Sequence, residues 1–349
     1  MPTLSARPRI LIPHDFDYRK YYPGPEPLPP EATGEGLRGE ILRRDGSMDV
    51  VHASSAENTM AALPEAEILF AYGVRRESLD RARSLRWIQA GSAGIDHFFK
   101  LSDVDADELR RRGIKLTSAA GVSRRVIGEH VLGCILMFAR GMVRALDQQR
   151  AKYWEIFCTD ELYGKTVGII GLGEIGERVA ELCKTFGTRV IAVKARPEHH
   201  KGHADSVFGL GEMDRVMQES DFLVLACPIT AATRGMINRR SLALMRPTAY
   251  LVNIGRGELI VETDLIEALR EGRIAGAALD TFGSPATSKS GMDGLEALSP
   301  DSLLWNMPNV IITPNHAAGS RRIYGHMADL FLRNLRLIAA GERPPGCVV

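Results

Sequence analysis

The sequence has no long hydrophobic run and no extended apolar segment near its N-terminus. Its longest uninterrupted apolar stretch is VLGCILMFA, from Val131 to Ala139, which is about half as long as the ~20 residues that a transmembrane helix needs. A secretion signal would require a longer apolar segment at the start of the chain than this sequence has. These absences predict a cytoplasmic protein without a membrane partner.

Net charge of either sign is also lacking. The 44 Lys and Arg residues nearly balance the 43 Asp and Glu residues, and the basic residues are scattered along the chain. Proteins that bind nucleic acids or anionic membranes usually concentrate basic residues on one face or segment. We therefore expect no nucleic-acid partner.

Paired cysteines are absent as well. The five cysteines, at positions 134, 158, 183, 227 and 347, are odd in number and form no C-x-x-C motif. Most of them lie in apolar surroundings, which is typical of buried free thiols in a reducing compartment. Neither a disulfide framework nor a metal site is predicted.

What the sequence does contain is a regular alternation of short apolar runs and amphipathic stretches. The runs lie at 9–13, 67–72, 86–90, 114–118, 166–171, 189–193, 222–226, 249–254, 274–280 and 309–313. Near-continuous apolar strands separated by helices are typical of parallel sheets that are covered on both faces. Because 349 residues are too many for one ordinary core, we predict two α/β domains.

Two segments break this alternation. From about Arg124 to Tyr153 the pattern is helical and, in its first half, apolar on most sides. One long helix of that kind is expected to be buried between domains or between subunits, and we place the crossover between domains near 121–125. Residues 15–36, rich in proline and glycine, are predicted to form a surface loop.

A glycine-rich turn indicates a nucleotide site. In TVGIIGLGEIGERVA, a G-x-G-x-x-G motif stands between a predicted buried strand and an amphipathic helix. In that context the first glycine permits a tight turn, the second lets backbone amides approach a pyrophosphate, and the third lets the helix pack on the strand. The helix N-terminus favours the phosphates. The predicted dinucleotide contacts are Gly171, Leu172, Gly173, Glu174, Ile175 and Gly176.

The next predicted strand bears on the choice of dinucleotide. NAD-binding folds usually carry an acidic residue at its end, about 20 residues after the motif, which binds the ribose 2′-hydroxyl. In VIAVKARPE that place is taken by Lys194, and Arg196 follows two residues later. Two cations suit the 2′-phosphate of NADP, and the alternative is that both simply point to solvent. The sequence favours NADP and leaves NAD possible.

Four further segments resemble the D-isomer-specific 2-hydroxyacid dehydrogenase family. They are LRWIQAGSAGIDHF (85–98), GVSRRVIGEHVL (121–132), ACPITAATRGMINRRSLALMRPTAYLVNIGRGELI (226–260) and ITPNHAAG (312–319). The resemblance covers nearly the whole chain and is weakest before about residue 65. It implies an α/β fold of two Rossmann-like domains with parallel sheets. The cofactor domain, 122–320, would be inserted in a substrate domain formed by 1–121 and 321–349.

The resemblance also implies an activity. A hydride would pass between NADP(H) and a small 2-keto or 2-hydroxy acid of D configuration, in a cleft at the C-terminal edges of the strands. By this match Arg256 is the catalytic arginine, and the backbone N–H groups of Ser92, Ala93 and Gly94 meet the substrate carboxylate. The implied cofactor contacts are Cys227, Pro228, Ile254, Gly255, Arg256, Asp280, His316 and Gly319. The family is commonly homodimeric, and glyoxylate or hydroxypyruvate would suit an NADPH-dependent member.

The chemistry of a keto-acid reduction agrees with these roles. A guanidinium can bind a carboxylate in a forked geometry and polarise the adjacent carbonyl. A histidine near its working pKa can deliver the proton. Aligning ITPNHAAG with the family on Gly319 restores the family's histidine as His316 and makes Asn315 an extra residue; aligning on Pro314 does not. We predict His316 as the acid/base, with a structural histidine as the alternative.

The carboxylate that would orient this histidine is harder to locate. In the family it follows the strand aspartate by five positions, but here that position is Pro285. EALSPDSLLW (296–305) resembles the family run that begins with the acid, so Glu296 is the predicted partner, after an insertion rich in Gly, Ser and Ala. Such a polar insertion costs little in closure entropy. Asp293, or a site without any carboxylate partner, remains open.

Two other functions stay open at this point. A nicotinamide-sensing corepressor or scaffold on the same fold would bind the cofactor and turn over little, but the presence of both Arg256 and His316 argues against it. A methyltransferase that uses S-adenosylmethionine can also begin with a glycine-rich turn. The NIGRG and TPNHAAG segments do not fit that class.

Overall fold

The structure, a computed structural model, describes residues 4–16, 33–200, 202–283 and 298–349. The strands, in chain order, are β1 (Arg9–Ile12), β2 (Asp49–His52), β3 (Ile68–Ala71), β4 (Trp87–Ala90), β5 (Lys115–Thr117), β6 (Thr166–Ile170), β7 (Arg189–Val193), β8 (Ser206–Phe208), β9 (Phe222–Leu225), β10 (Tyr250–Asn253), β11 (Gly276–Leu279) and β12 (Val310–Ile312). The α-helices are α1 (Gly34–Arg44), α2 (Ala56–Ala62), α3 (Arg76–Arg81), α4 (Ile95–Lys100), α5 (Ala106–Arg111), α6 (Arg124–Ala139), α7 (Met142–Ala151), α8 (Glu174–Lys184), α9 (Met213–Glu219), α10 (Arg239–Leu242), α11 (Glu262–Arg270) and α12 (Ile323–Ala339).

The chain forms two compact units. The first, here called the split unit, comprises Met1–Ser123 and Gly319–Val349, and the second, the inserted unit, comprises Arg124–Ala318. The inserted unit is continuous in sequence and interrupts the split unit. The roles expected for two such domains, substrate binding and cofactor binding, stay predictions at this level.

The split unit is built on a five-stranded sheet of order β2-β1-β3-β4-β5. All of its strand pairs are parallel. The C-terminal helix α12 supplies much of the core on one face, where Phe331 stacks on Trp87 with ring centroids 5.1 Å apart. Asn334 on the same helix donates a 3.2 Å hydrogen bond to the buried Gln89 of β4. One face of this sheet is therefore covered by α12, the last helix of the described chain.

The inserted unit has a seven-stranded sheet of order β12-β11-β10-β9-β6-β7-β8. Every pair is parallel, and the order from β8 to β11 matches that of a dinucleotide-binding sheet. Along β9, Leu223 and Leu225 face one hydrophobic cluster, while Phe222 and Val224 face another on the opposite side. Both faces are covered, as near-continuous apolar strands require. The predicted fold, two α/β domains with parallel sheets, is confirmed.

Each apolar run that was predicted to be a strand contains one, and the sequence analysis missed β2 and β8. The single long helix predicted over Arg124 to Tyr153 is wrong. Gly141, with φ of +60°, separates α6 from α7, and the two helices are bent by 66°. Among the described residues no single helix has the length and apolarity to cross a membrane, and only α6 and α7 taken as a bent pair meet that test.

The apolar face of α6 packs inside its own unit, against α8 and the sheet. Gly128 allows the two helices to approach closely, because a Cβ atom there would lie 2.8 Å from Cγ of Arg178 on α8. In contrast, α7 has no buried residue. The burial of the predicted long helix is thus confined to its first half.

The cysteines are free thiols. Cys134, Cys183 and Cys227 are buried, whereas Cys158 is exposed. Burial raises the thiol pKa of Cys134 to about 11, of Cys183 to about 12 and of Cys227 to about 11. These three thiols therefore stay protonated at neutral pH and are poor nucleophiles.

Candidate active site

The glycine-rich loop joins β6 to α8, and two of its glycines are required by packing. Gly171 has φ of +102°, and a Cβ atom on it would lie 2.5 Å from the backbone nitrogen of Cys227. A Cβ atom on Gly176 would overlap the carbonyl oxygen of Gly171. These contacts hold the turn tightly against the sheet and bring the helix close to the strand.

Gly173 differs from its two neighbours in the motif. A Cβ atom there would meet nothing within 4 Å, so the space in front of it is open. Gly173 is also the N-cap of α8, and no side chain caps the first turn of that helix. Open space before uncapped backbone N–H groups at a helix N-terminus fits a pyrophosphate. The residues present therefore fit a dinucleotide cofactor.

Lys194 and Arg196 lie next to this loop. The backbone N–H of Gly171 donates to the carbonyl of Val193, the last residue of β7, at 3.0 Å, and Lys194 follows directly. Lys194 is half-buried and Arg196 is exposed. Within the described ranges, neither side chain has a hydrogen bond or ion pair. Lys194 thus follows the strand residue that contacts the glycine-rich loop, and Arg196 comes two residues later.

Arg256 is presented by a turn that a buried asparagine fixes. Asn253 ends β10 and is fully buried. Its Nδ2 donates to the carbonyl of Arg256 at 3.1 Å and to Oγ1 of Thr281 at 3.3 Å, while its Oδ1 accepts from the N–H of Gly255 at 3.1 Å. The Arg256 side chain is half-buried, and its Nη1 donates to the carbonyl of Gly255 at 3.0 Å. Asn253 was missed by the sequence analysis, although a polar residue ending an apolar strand was a usable signal.

The carboxylate of Asp280, just after β11, holds the loop that carries His316. It is only 4% exposed. Its Oδ1 accepts from the hydroxyl of Thr313 at 2.6 Å and from the backbone N–H of His316 at 3.0 Å. Its Oδ2 accepts from the backbone N–H of Ala317 at 3.1 Å. The cofactor contact predicted for Asp280 stays a prediction, since the observed partners of its carboxylate belong to the 313–317 loop.

Asn315, the extra residue of the sequence alignment, has a left-handed backbone. Its φ is +53°, and its N–H donates to the carbonyl of Thr313 at 3.0 Å across Pro314. Asparagine tolerates this conformation better than most residues with a side chain. The turn directs the next two N–H groups toward Asp280 and leaves the His316 side chain exposed. His316 is therefore accessible to a ligand.

A second histidine, which the sequence analysis did not single out, packs against the first. His130 of α6 meets the ring of His316 edge to face, with centroids 5.5 Å apart. Its Nε2 lies 3.5 Å from Oγ1 of Thr313 and 3.7 Å from Sγ of Cys134. Burial lowers the pKa of His130, Asp280 acts in the opposite sense, and His316 lowers it further. The position of His130 four residues before a buried cysteine gave no local signal of these contacts.

These groups gather at one edge of the inserted sheet. Arg256, Asp280 and His316 follow β10, β11 and β12, which are neighbours in the sheet, and Cys227 and Pro228 follow β9 beside the glycine loop. Because all strands are parallel, their carboxyl ends share this edge, where open α/β sheets bind ligands. Among the described residues of this unit, those predicted for the site thus follow neighbouring strands at one edge of its sheet.

The remaining predicted residues belong to the split unit or are outside the described residues. Ser92, Ala93 and Gly94 form the loop after β4 in the split unit, where the carbonyl of Ser92 accepts from the N–H of Ala119 at 2.9 Å. Gly319 is exposed and is the first residue of the second segment of that unit. Glu296, its competitor Asp293 and Pro285 lie outside the described residues.

Comparison with known proteins identifies relatives of this chain. The family model described as "D-isomer specific 2-hydroxyacid dehydrogenase, NAD binding domain" matches residues 132–318. The glyoxylate reductase of Pyrococcus furiosus is 34% identical over 286 residues, which cover 79% of this chain and 79% of that protein.

Two solved structures share the fold over nearly the whole length. A D-isomer-specific 2-hydroxyacid dehydrogenase family protein from Aeromonas salmonicida superimposes with a TM-score of 0.73 at 26% identity, covering 98% of this chain and 99% of that one. A probable 2-hydroxyacid dehydrogenase from Rhizobium etli, in complex with NADP, has a TM-score of 0.72 at 24% identity, covering 99% and 98%. The chain belongs to the D-isomer-specific 2-hydroxyacid dehydrogenase family and is an NAD(P)-dependent oxidoreductase that acts on 2-hydroxy or 2-keto acids.

Proposed function

We propose that this protein reduces a short 2-keto acid, of the size of glyoxylate or hydroxypyruvate, to the D-2-hydroxy acid with NADPH. One observation carries the proposal. An arginine held by Asn253 and an exposed histidine held by Asp280 follow neighbouring strands at the carboxyl edge of the sheet that bears the dinucleotide loop. The activity named for the Pyrococcus furiosus relative supports the substrate class.

In this mechanism the hydride that reaches C2 of the keto acid is supplied by the bound nicotinamide. The guanidinium of Arg256 binds the substrate carboxylate and polarises the neighbouring carbonyl. Protonated His316 donates its proton to the carbonyl oxygen as that oxygen gains charge. One hydride and one proton thus convert the keto acid to the hydroxy acid. In the reverse direction, neutral His316 accepts the hydroxyl proton.

Further parts of the site are proposed from the sequence. Glu296 is the proposed carboxylate that orients His316, an assignment that rests on alignment because Glu296 is outside the described residues. Ser92, Ala93 and Gly94 have small side chains that leave backbone N–H groups accessible to the substrate carboxylate. The cytoplasmic location also remains a prediction.

NADPH is proposed rather than NADH because of the two cations beside the glycine loop. An acid at Lys194 would accept a hydrogen bond from the ribose 2′-hydroxyl and repel a 2′-phosphate. Lys194 and Arg196 instead offer donors and positive charge at that place, without partners among the described residues. These residues fit the additional phosphate of NADP.

A homodimer formed through the inserted unit is also proposed. The segment after α7 exposes Trp154 and Ile156 to 91% and 89%. Arg144 holds this segment on α7, since it pairs with Glu155 at 2.5 Å and lies over the ring of Phe157, 4.4 Å from its centroid. Large apolar side chains that are both ordered and exposed usually mark a protein interface.

The direct test follows nicotinamide absorbance with glyoxylate and with hydroxypyruvate, comparing NADPH with NADH. Wild type, Glu296→Gln and the matched control Asp293→Asn are assayed side by side. We expect turnover with NADPH in wild type and in Asp293→Asn, and a loss of activity at neutral pH in Glu296→Gln with cofactor binding retained.

Other outcomes have definite meanings. Equal activity of Glu296→Gln and wild type would remove Glu296 from the mechanism. Loss in Asp293→Asn alone would transfer its role to Asp293. Tight NADPH binding with no turnover of any keto acid would contradict the proposed reductase and favour a nicotinamide-sensing scaffold.

A further inference from the structure

His130 has no role in the mechanism above, yet it is placed to act on the catalytic histidine. Its ring and that of His316 are perpendicular, with an interplanar angle of 90° and centroids 5.5 Å apart. In the part of the chain that the structure describes, the hydrogen bond of His316 to Asp280 comes from its backbone, and none is made by its ring. The contact with the His130 ring can therefore set the orientation of the His316 ring.

His130 is itself anchored through Thr313. The hydroxyl of Thr313 has a single proton, which it donates to Asp280 Oδ1 at 2.6 Å. Its oxygen is therefore an acceptor for Nε2 of His130, 3.5 Å away, in the tautomer of the neutral ring that carries its proton on Nε2. Asp280 also accepts the backbone N–H of His316. One buried carboxylate thus holds both histidines, one through a hydroxyl and one through the backbone.

The groups around His130 keep it neutral. Burial lowers its pKa, and the positive charge of protonated His316 lowers it further, while Asp280 opposes both. On its own helix, Cys134 is a protonated thiol because burial raises its pKa to about 11. On α8, packed against the same helix, Arg178 lies beside Gly128, two residues before His130. Burial thus favours the neutral form of His130, which can orient the His316 ring without repelling it.

We propose that His130 is a positioning residue whose ring aligns His316 for proton transfer to the substrate carbonyl. The inference rests on the proposed reduction of 2-keto acids. It has a consequence at low pH: a proton on His130 places a positive charge beside the protonated His316 ring, and the repulsion between the two rings disturbs their edge-to-face alignment. The rate of keto-acid reduction then falls at acid pH because His130, on α6, becomes protonated.

Two substitutions separate this role from simple packing. His130→Leu removes the ring, whereas His130→Phe keeps a ring that cannot titrate. Glu129→Gln, an exposed neighbour on the same helix, is the matched control. An edge-to-face ring contact accounts for about a tenfold effect at most. We expect kcat of His130→Leu to fall by about that factor, with KM and NADPH affinity unchanged.

The pH profile gives a second readout, which a merely structural role would not move. Wild type and Glu129→Gln should lose reductive kcat as the pH falls through the lowered pKa of His130, which lies below the ordinary histidine value of about 6.5. In His130→Phe we expect kcat near neutral pH within about threefold of wild type and no such acid-side loss. Unchanged kcat in His130→Leu, or an acid-side loss that persists in His130→Phe, would overturn the inference.

A third readout does not depend on turnover. The ring protons of His316, identified in the NMR spectrum by their absence in His316→Gln, should shift in His130→Leu and respond less in His130→Phe. Unchanged chemical shifts of the His316 ring protons in both variants would disprove the ring contact. If the wild type reduces no keto acid although these signals shift, the proposed function is wrong and the positioning role falls with it, while the contact itself stands.

Discussion

The buried carboxylate of Asp280 accepts the backbone N–H of His316 at 3.0 Å. His316, the proposed acid/base, is therefore held by its main chain, and its side chain stays accessible. The aspartate after β11 is in this structure an anchor for the loop after β12, reinforced by the hydroxyl of Thr313.

Asp280→Ala should destabilise the protein strongly. It leaves the N–H groups of His316 and Ala317 and the hydroxyl of Thr313 without their acceptor, which we expect to cost about 3 kcal/mol in the free energy of unfolding. Thr313→Val, the graded control, removes one of these bonds and should cost about 1 kcal/mol. Chemical denaturation measures both, and an Asp280→Ala variant as stable as Thr313→Val would contradict the anchor.

Asn315 should tolerate glycine better than alanine. At φ of +53° a Cβ atom without a compensating side chain is strained, so Asn315→Ala should lose about 1 kcal/mol of stability. Asn315→Gly should stay close to wild type. The comparison needs only thermal unfolding of the two variants. Equal stability of the two would mean that the loop does not hold this conformation in solution.

Removing the two cations should change the choice of cofactor. We expect Lys194→Ala and Arg196→Ala each to raise the Kd of NADPH by about tenfold or more, the value of a charge-assisted contact, and to leave that of NADH nearly unchanged. Arg189→Ala, at the opposite end of β7, controls for lost surface charge. Equal weakening of NADPH and NADH would show that neither cation binds the 2′-phosphate.

The exposed segment after α7 should determine the oligomeric state. We expect wild type to be a dimer by light scattering and the double variant Trp154→Ser/Ile156→Ser to be a monomer. Tyr163→Ser, another exposed aromatic residue of the inserted unit (79% exposed), serves as the control and should leave the dimer intact. A dimer that survives the double substitution must use a different surface.

The lowered pKa of His130 also predicts a pH dependence of stability. Above about pH 6.5 His130 is neutral in both the folded and the unfolded chain and contributes nothing to the balance. Below that value the unfolded chain takes up the proton first, so the free energy of unfolding decreases as the pH is lowered. His130→Phe lacks this loss. The difference in stability between variant and wild type should therefore shift in favour of the variant from pH 7.5 to 5, and a constant difference would contradict it.

The sheets were predictable from the sequence because their signal is local. A strand buried on both faces must be apolar throughout, and the glycine loop is recognisable from its own spacing. The two missed strands, β2 and β8, are short and only partly buried, so their composition does not distinguish them from loops. The break at Gly141 was not predicted because the apolar pattern of α6 continues almost up to it. The break itself depends on the left-handed backbone of one residue, which leaves no mark on that pattern.

The contacts of the site were less predictable, because they join distant parts of the chain. His130 and Thr313 are 183 residues apart, and no local pattern couples them. Asn315 was noticed in the sequence, but as an alignment problem; its left-handed φ explains how the extra residue is accommodated. Asn253, whose side chain holds the backbone carbonyl of Arg256, lies only three positions away in sequence. Its role depends on its own burial, which the sequence did not reveal.

The interruption of the split unit has a consequence for how the protein is made. All five strands of its sheet precede Arg124, whereas α12, which covers one face of that sheet, follows Gly319. At about 5–20 residues per second, a ribosome needs roughly 10–40 s to make the inserted unit. During this time the apolar face of the sheet around Trp87 stays uncovered, because α12 has not yet been synthesised. We therefore expect chaperones to bind the nascent chain at this face.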